Sequence, residues 1–417
     1  MHARTRTHTE TAPRRGAQVR TPTVQRACEQ PSASLVEHRP GLSGLRALAV
    51  VAIVAANVGI GGLAGGAAVG IEIFFVLVGY LTAAVLVARG HVGVVDIARF
   101  IGRRARRVLP ALLTVLGGVS LLVLTARPDA LDRLGPDIRA TLVGLGNWYL
   151  VLRAAAPAAS GPSFLEHLWA LAAGAQLTLL VAVVLLLVRS RRGRASLRLA
   201  ALVLALGSTI WLAVLSVSAE VPERALYGTD TRAAGVLIGV ALGLTLRPAA
   251  AGGLSALRAR RLQLLGLLAV AGLLAIMTVG GGALVWLTRG GLLLIDLLAA
   301  IVIAVVVRGA RLDGMLGALP LRWIGLRSYA IYLWHWPVLL ALGGPVGMRR
   351  PVVAAIYVAV VIALADLTYR FVEIPLGGVR RVPANGMIGA PMFAVRTTAI
   401  ACGSACAAAL LAGPPQA

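Results

Sequence analysis

The 417-residue chain contains no lysine, and all 40 of its basic residues are arginine. Only 16 acidic residues stand against them, so the formal net charge is +24. A soluble protein this basic would point to nucleic acid. Here the arginines fall in the short gaps between apolar segments, as the positive-inside rule describes, and a nucleic-acid partner is excluded. The missing lysine, with abundant alanine, glycine and arginine, fits a GC-rich genome and carries no mechanism. Cysteine is almost missing too. Cys28, Cys402 and Cys406 form neither a metal-ligand spacing nor a disulfide framework. Cys402 and Cys406, one helical turn apart in an apolar tail, read as small packing residues. There is no nucleotide-binding loop, HExxH pair or zinc-type Cys/His array. Nor is there the GxSxG elbow of a serine hydrolase. No metal site and no bound cofactor is expected.

What the chain has is apolar sequence. Hydrophobic residues make up 59% of it, and the mean hydropathy is +0.86. Several segments run apolar over about 17–25 residues, the length that crosses a hydrocarbon core. Only helices of this kind satisfy their own backbone in lipid. The expected fold is all-α, a polytopic transmembrane bundle of about ten core helices plus one C-terminal helix. The core spans are expected near 45–63, 68–88, 108–126, 165–188, 199–218, 233–246, 262–279, 290–307, 328–346 and 351–371. A weak last span falls near 389–412. Residues 1–38 are polar, rich in Arg and Thr and without an apolar core, and read as a disordered cytoplasmic tail. Residues 39–385 form the membrane domain, and 386–417 the weak last span with a short tail.

The segment 89–107, with six arginines, reads as a cytoplasmic loop. Residues 140–153 are too short to span and read as a re-entrant or interfacial piece, with Asn147, Trp148 and Tyr149 suited to an interface. This arrangement leaves most arginines on the side of the N-terminus, which places that terminus in the cytoplasm and the protein in the plasma membrane.

The apolar spans carry polar groups that hydrocarbon rejects, and intramembrane polar groups are functional candidates by default. Arg46 and Asn57 lie eleven positions apart, which returns to nearly the same helix face about 16 Å along. Glu72 follows in the next span. The cluster Arg103, Arg104, Arg106 and Arg107 is either a topology anchor against anionic lipid or a bidentate phosphate clamp. His167, near the start of a span with Gln176, is either a proton carrier or an interfacial residue beside Trp169. In the hexamer YGTDTR, with Tyr227, the residues Asp230 and Arg232 pair, cap a helix or bind a polar acceptor. Tyr332, Trp334, His335 and Trp336 crowd into one and a half turns, more than an aromatic belt requires. Arg370 and Glu373 suggest a structural ion pair.

In this order the stretches resemble the acyltransferase 3 family of membrane proteins, over roughly residues 39–385. RPGLSGLRALAV resembles the family's opening R-x-D-x-x-R-A-x-A-V. GGAAVGIEIFFVLVGY resembles G-G-x-x-G-V-D-x-F-F-V-I-S-G-F, with Glu72 where aspartate is usual. RFIGRRARRVLPALL resembles R-R-x-R-R-I-L-P, and NWY, HLWALAAGAQ, YGTDTR, SYAIYLWHWP and YRFVEIP have counterparts. The resemblance implies O-acylation of an extracytoplasmic glycan or lipid-linked sugar. The implied donor is acyl-CoA, presented from the cytoplasm with Arg103, Arg104, Arg106 and Arg107 near its phosphates. Catalytic candidates are then Arg46, Asn57, Glu72, His167 and His335. Acceptor-side or structural candidates are Asn147, Trp148, Tyr149, Gln176, Tyr227, Asp230, Arg232, Tyr332 and Trp334.

Four departures thin the chemistry. The first helix of the family carries Arg, ten residues, then a His expected as base or relay; here that position is Asn57. An amide orients a hydroxyl but is not basic enough to take its proton. The pattern H-x-W-S-L-A-x-E-E-Q-F/Y keeps His167, Trp169, Leu171, Ala172 and Gln176. Its two glutamates are Gly174 and Ala175, its serine is Ala170 and its aromatic Leu177. The S-G of the second helix is Val78-Gly79. Two functions follow: an O-acyltransferase with a relocated base, drawn from His167 or His335 with Glu72 as orienter, or a weak or inactive relative with a binding or regulatory role. A transporter would show inverted repeats, which the sequence lacks. Some members carry an SGNH-type hydrolase domain after the last helix. No such domain is expected from the residues after the last helix here, so the expectation is that either a partner supplies acceptor handling or the membrane domain suffices.

Overall fold

The computed structural model describes residues 39–59, 62–88, 92–154, 162–188, 190–217, 222–246, 255–279, 284–309 and 311–377. The expected tail 1–38, the weak span near 389–412 and all three cysteines lie outside them. The described residues are helical throughout, with no strand among them. The chain enters through α1 (Pro40–Val58) and returns through α2 (Gly66–Val87). It rises again through the long α3 (Val94–Ala126). Two short helices follow, α4 (Leu131–Leu142) and α5 (Gly146–Ala154). Then come α6 (Trp169–Leu187), α7 (Arg191–Leu215), α8 (Glu223–Tyr227) and α9 (Ala233–Thr245). The remainder is α10 (Ala256–Val279), α11 (Leu292–Val307), α12 (Arg311–Leu316), α13 (Leu319–Ala341) and α14 (Pro351–Thr368).

Among the described residues eight helices are long and apolar enough to cross a membrane. The other two expected spans are the 13-residue α9 and α13, which is long enough but more polar than the eight. The arginine-rich stretch differs from its expected form. Residues 94–107 are the first turns of α3, not loop, because alternating apolar and basic positions allow an amphipathic helix to begin before the apolar run. Gly93 opens it, its N–H bound by Asp96 at 3.2 Å. The segment 140–153 divides between the end of α4 and α5. Neither helix has spanning length.

α2 is the centre of the bundle, packed by α1, α6, α9 and α11. Small residues let the α2 and α9 backbones approach closely, as in membrane helix pairs. Gly79 abuts the Val236 backbone, and Gly239 sits against Val76 and Tyr80. A methyl group on Gly239 would lie 2.7 Å from the Tyr80 amide nitrogen. That atom is main chain inside a helix and does not swing aside.

Short connections make successive long helices alternate in direction. The starts of α1 and α13 share one end of the bundle, where Asp313 accepts the Gly41 amide at 2.8 Å. Tyr329 of α13 donates to the Val108 carbonyl of α3 at 3.0 Å, so the arginines of α3 gather at that end too. The turn between α1 and α2 and the α4–α5 pair lie at the opposite end.

Replacing Gly239 with valine is expected to destabilise the bundle by at least about 1–3 kcal/mol through overpacking. Thermal unfolding of the purified protein in detergent reads this. An unchanged midpoint would contradict the close approach of α2 and α9.

Candidate active site

Four polar groups are built into this scaffold. The first is a pair of histidines at the start of α6 and on α13. His167 and His335 are both buried, their ring centroids 5.2 Å apart and nearly perpendicular. Tyr332 lies 5.5 Å and 5.3 Å from the two rings and donates its hydroxyl proton to the His167 carbonyl. Backbone carbonyls fix both tautomers, since a carbonyl only accepts. His167 Nε2 faces the Leu333 oxygen at 3.1 Å and must carry the hydrogen there, which leaves Nδ1 as a bare lone pair without a hydrogen-bond partner. His335 Nδ1 faces the Tyr332 oxygen at 2.5 Å, which leaves Nε2 as its basic nitrogen. The pair therefore presents two imidazole lone pairs in an apolar setting.

The second group lies at the same end of the bundle. Gln176 of α6 ties α5 to the turn before α9. Its amide donates to Gly144 O at 2.7 Å and Asn147 Oδ1 at 2.9 Å. Its carbonyl accepts from Trp148 Nε1 at 3.3 Å and Thr229 at 2.5 Å. Asn147, fully buried, donates to Tyr227 O and Thr229 Oγ1. Tyr227 donates to Glu166 Oε1 at 3.0 Å. Tyr149 lines an adjoining recess with Asp137, Ser163, Glu166 and Trp169. Burial pushes the Asp137 carboxyl above its ordinary range, opposed by the Ser163 hydroxyl that donates to it and by Arg153 at 3.8 Å.

The third group corrects an expected pairing. Asp230 and Arg232 are not partners. Asp230 takes both Arg224 nitrogens, at 2.8 and 2.7 Å, and Trp211 Nε1 at 3.0 Å. Burial would raise its carboxyl, but the Arg224 hydrogen bonds and charge hold it below the ordinary range. Arg232 instead turns inward to Glu72 at 2.5 Å, its guanidinium 5.3 Å over the Trp169 ring. The two lie on consecutive turns of chain that face opposite ways, one outward and one into the bundle. Glu72 is thereby occupied by Arg232 and by Asp296 of α11. Among the described residues no hydrogen bond or ion pair joins it to His167 or His335.

The fourth group is at the arginine end. Arg103, Arg106 and Arg107 are exposed and Arg104 is half-buried. The charges acting around Tyr329 are those of Glu373, Arg104 and Arg107. The expected Arg370–Glu373 pair does not form. Arg370 reaches Asp366 one turn earlier, at 2.8 Å, beside Arg327 at 2.6 Å. Glu373 is buried among the charges of Arg107 and Arg327. A π-type turn over Tyr369–Glu373 rotates Glu373 away from Arg370.

The remaining candidates are spread through the bundle. Asn57 is half-buried at the far end of α1, beside the Tyr357 hydroxyl of α14. Arg46 is half-buried nearer the other end. Trp334 bonds Thr368 of α14 at 2.9 Å. Gly174 packs near the Phe75 ring, and Ala175 is exposed. Sequence reasoning missed Asp296, Thr229, Asp137, Arg224 and Tyr357. An acid inside the apolar run LLLIDLLAA was the signal that could have found Asp296.

A family profile, described as an acyltransferase domain, matches residues 39–370. The chain belongs to this acyltransferase family. It is 32% identical over 349 residues to the peptidoglycan O-acetyltransferase OatA of Listeria monocytogenes, covering 81% of this chain and 55% of that protein. It is 34% identical over 347 residues to the putative peptidoglycan O-acetyltransferase YrhL of Bacillus subtilis, covering 81% and 54%. The O-acetyltransferase OatA of Staphylococcus aureus is 30% identical over 350 residues, covering 81% and 57%. The chain thus spans little more than half the length of these relatives. No solved structure matches it. The acyltransferase match takes in all four polar groups except Glu373.

Substituting Gln176 by leucine strips partners from Asn147, Trp148 and Thr229 together. The expected loss is about 1–3 kcal/mol for each polar group left buried and unpaired. A thermal midpoint within error of wild type would show that the network contributes nothing.

Proposed function

We propose that this chain is an integral-membrane O-acyltransferase that moves an acetyl or similar acyl group from acyl-CoA to a hydroxyl of a cell-envelope carbohydrate. The observation that carries the reading is the buried His167–His335 pair, whose fixed tautomers leave lone pairs able to take a proton. The names of the Listeria and Bacillus relatives, which specify peptidoglycan, support a cell-envelope glycan as acceptor. The acceptor is either such a glycan or a lipid-linked sugar precursor.

The chemistry balances without further reactants. The acceptor hydroxyl oxygen bonds to the thioester carbonyl carbon, the C–S bond breaks, and the CoA thiolate leaves. The hydroxyl proton goes to a histidine lone pair and from there to the thiolate. A positioned base of this kind contributes about 10²–10⁴ in rate. Arg103, Arg104, Arg106 and Arg107 are the cations for the CoA phosphates, because guanidinium forks bind phosphate bidentately. The Asn147–Gln176–Thr229 network, with Tyr149 and Tyr227, frames the acceptor side. The arginine distribution supports the plasma membrane with the N-terminus in the cytoplasm, and membrane lipid as surroundings. Handling of the acceptor by a partner's domain belongs to the same proposal.

A second reading has its own observation. Asn57 stands beside Tyr357 where the resemblance expects histidine, and Gly174 and Ala175 replace two expected acids. These changes favour a weak or inactive relative that binds donor or partner.

Transfer from radiolabelled acetyl-CoA to envelope glycan in membranes from a null host separates the two. Wild type is expected to transfer, and His335→Gln to lose roughly 10²–10⁴-fold while remaining folded. Arg106→Ala is expected to raise KM for the donor more than it lowers kcat. Silence in wild type with activity appearing in Asn57→His would instead establish the second reading.

A further inference from the structure

One buried group has no part in the proposed transfer. Glu72 on α2, Arg232 at the start of α9 and Asp296 on α11 converge on a small recess, lined also by Thr209, Thr231 and Thr288. Its free space holds about one water-sized body. The three ionisable residues are only 2%, 7% and 0% exposed.

The charges do not balance. Two carboxylates face one guanidinium, and Arg232 already serves Glu72 at 2.5 Å. Asp296 faces the Glu72 carboxyl, itself an acceptor when ionised, and among the described residues neither Asp296 oxygen has an N–H or other O–H donor. Burying such a carboxylate without a partner is costly, and like-charged neighbours sharply disfavour two ionised acids side by side. The threonines supply only lone pairs. Thr231 donates to Gly228 O at 2.9 Å, Thr288 to Val285 O at 3.1 Å and Thr209 to Ala205 O at 3.0 Å. Each hydroxyl hydrogen is spent on its own backbone, while the oxygen keeps acceptor capacity. Against these acceptors stands one unpartnered donor, Arg232 Nε.

We infer that this recess binds one small monovalent cation through the Asp296 and Glu72 carboxylates and the threonine oxygens, and that a proton on the carboxyl pair competes with it. An oxygen-only donor set suits a hard cation. The size excludes a sugar, the acceptor lining excludes an anion, and a single missing positive charge matches a monovalent ion. The site joins α2, α9 and α11, so occupancy is coupled to the stability of the bundle.

Those other ionisable groups on the packed elements whose partners are seen act elsewhere. Arg232 is the charge that acts on both carboxyls. Tyr80 lies in the field of Arg39, Arg289 donates to Val217 O, and His167 faces Leu333 and His335. The arginines of α7 and α10 occupy their first turns, and Arg46 lies toward the arginine end of α1.

The test is thermal unfolding of the full chain in detergent, in sodium chloride against choline chloride of equal ionic strength. It is run at about pH 8 and at about pH 5, above and near the ordinary range of carboxyl titration. Sodium is expected to raise the wild-type midpoint by at least about 2 °C at the higher pH. The gain should shrink at the lower pH and vanish in Asp296→Asn, a substitution of equal size. It should persist in Asp129→Asn, an exposed control. Because Asp296→Asn can fail to fold, binding of radiolabelled sodium to wild type is measured in parallel, with one saturable site per chain expected. The inference is overturned if sodium gives no gain over choline in wild type, if the gain survives in Asp296→Asn, or if no saturable sodium site appears.

Discussion

The ion pair between Arg232 and Glu72 is the constraint on which the centre of the molecule depends. Both groups are almost wholly removed from solvent, between helices whose closest approaches are made at glycines. A buried guanidinium that lost its carboxylate would remain as an uncompensated charge, which is far more costly than never having placed the pair there. The pair therefore specifies how α9 lies against α2. The glycine contacts along the same interface make that position close enough to hold. Trp169 caps the guanidinium with its ring and links the pair to the start of α6, just after His167.

α13 organises the other half. It is more polar than the helices that qualify as spans by hydropathy, and its polar residues are turned inward. Arg327 and His335 are eight residues apart, about 12 Å along the helix. Between them lie Tyr329 and Tyr332, one bonded toward α3 and the other toward the start of α6. A single helix thus carries polar side chains from the arginine end to the histidine pair. The proposed acyl donor, with a charged end and a reactive thioester, needs charge recognition and proton transfer at separated points, and this helix carries polar groups at two such points. Backbone carbonyls fix both tautomers and leave His167 Nδ1 bare, so the proposed base is a histidine away from the position held by Asn57.

The two ends of the bundle differ in how they hold polar groups. At the histidine end Gln176, Asn147 and Thr229 satisfy one another in a closed network. At the arginine end, three of the four clustered arginines reach the surface and remain able to meet an external anion. A network already satisfied specifies geometry, whereas exposed cations keep their capacity for a ligand.

Composition and apolar run length by themselves determined the helical membrane class, because hydrocarbon admits few ways to satisfy a backbone. The ordered motifs determined the family, since each keeps its residues in a local stretch of chain. Gln176, Asn147 and Tyr227 were legible as candidates for the same reason. Their shared network was not, because it joins residues 29 to 82 positions apart. Only the tertiary structure decided the pairings. Asp230 and Arg232 are near neighbours in sequence, yet the backbone between them turns one outward to Arg224 and the other inward to Glu72. Arg370 and Glu373 separate because a π-type turn changes the helical register that spacing assumes. Asp296 joined the buried group from a distant helix, where a lone acid in an apolar run carries no sign of its partner. Charge, length and local spacing act along the chain and can be read from it; which carboxylate meets which guanidinium is settled by packing between helices.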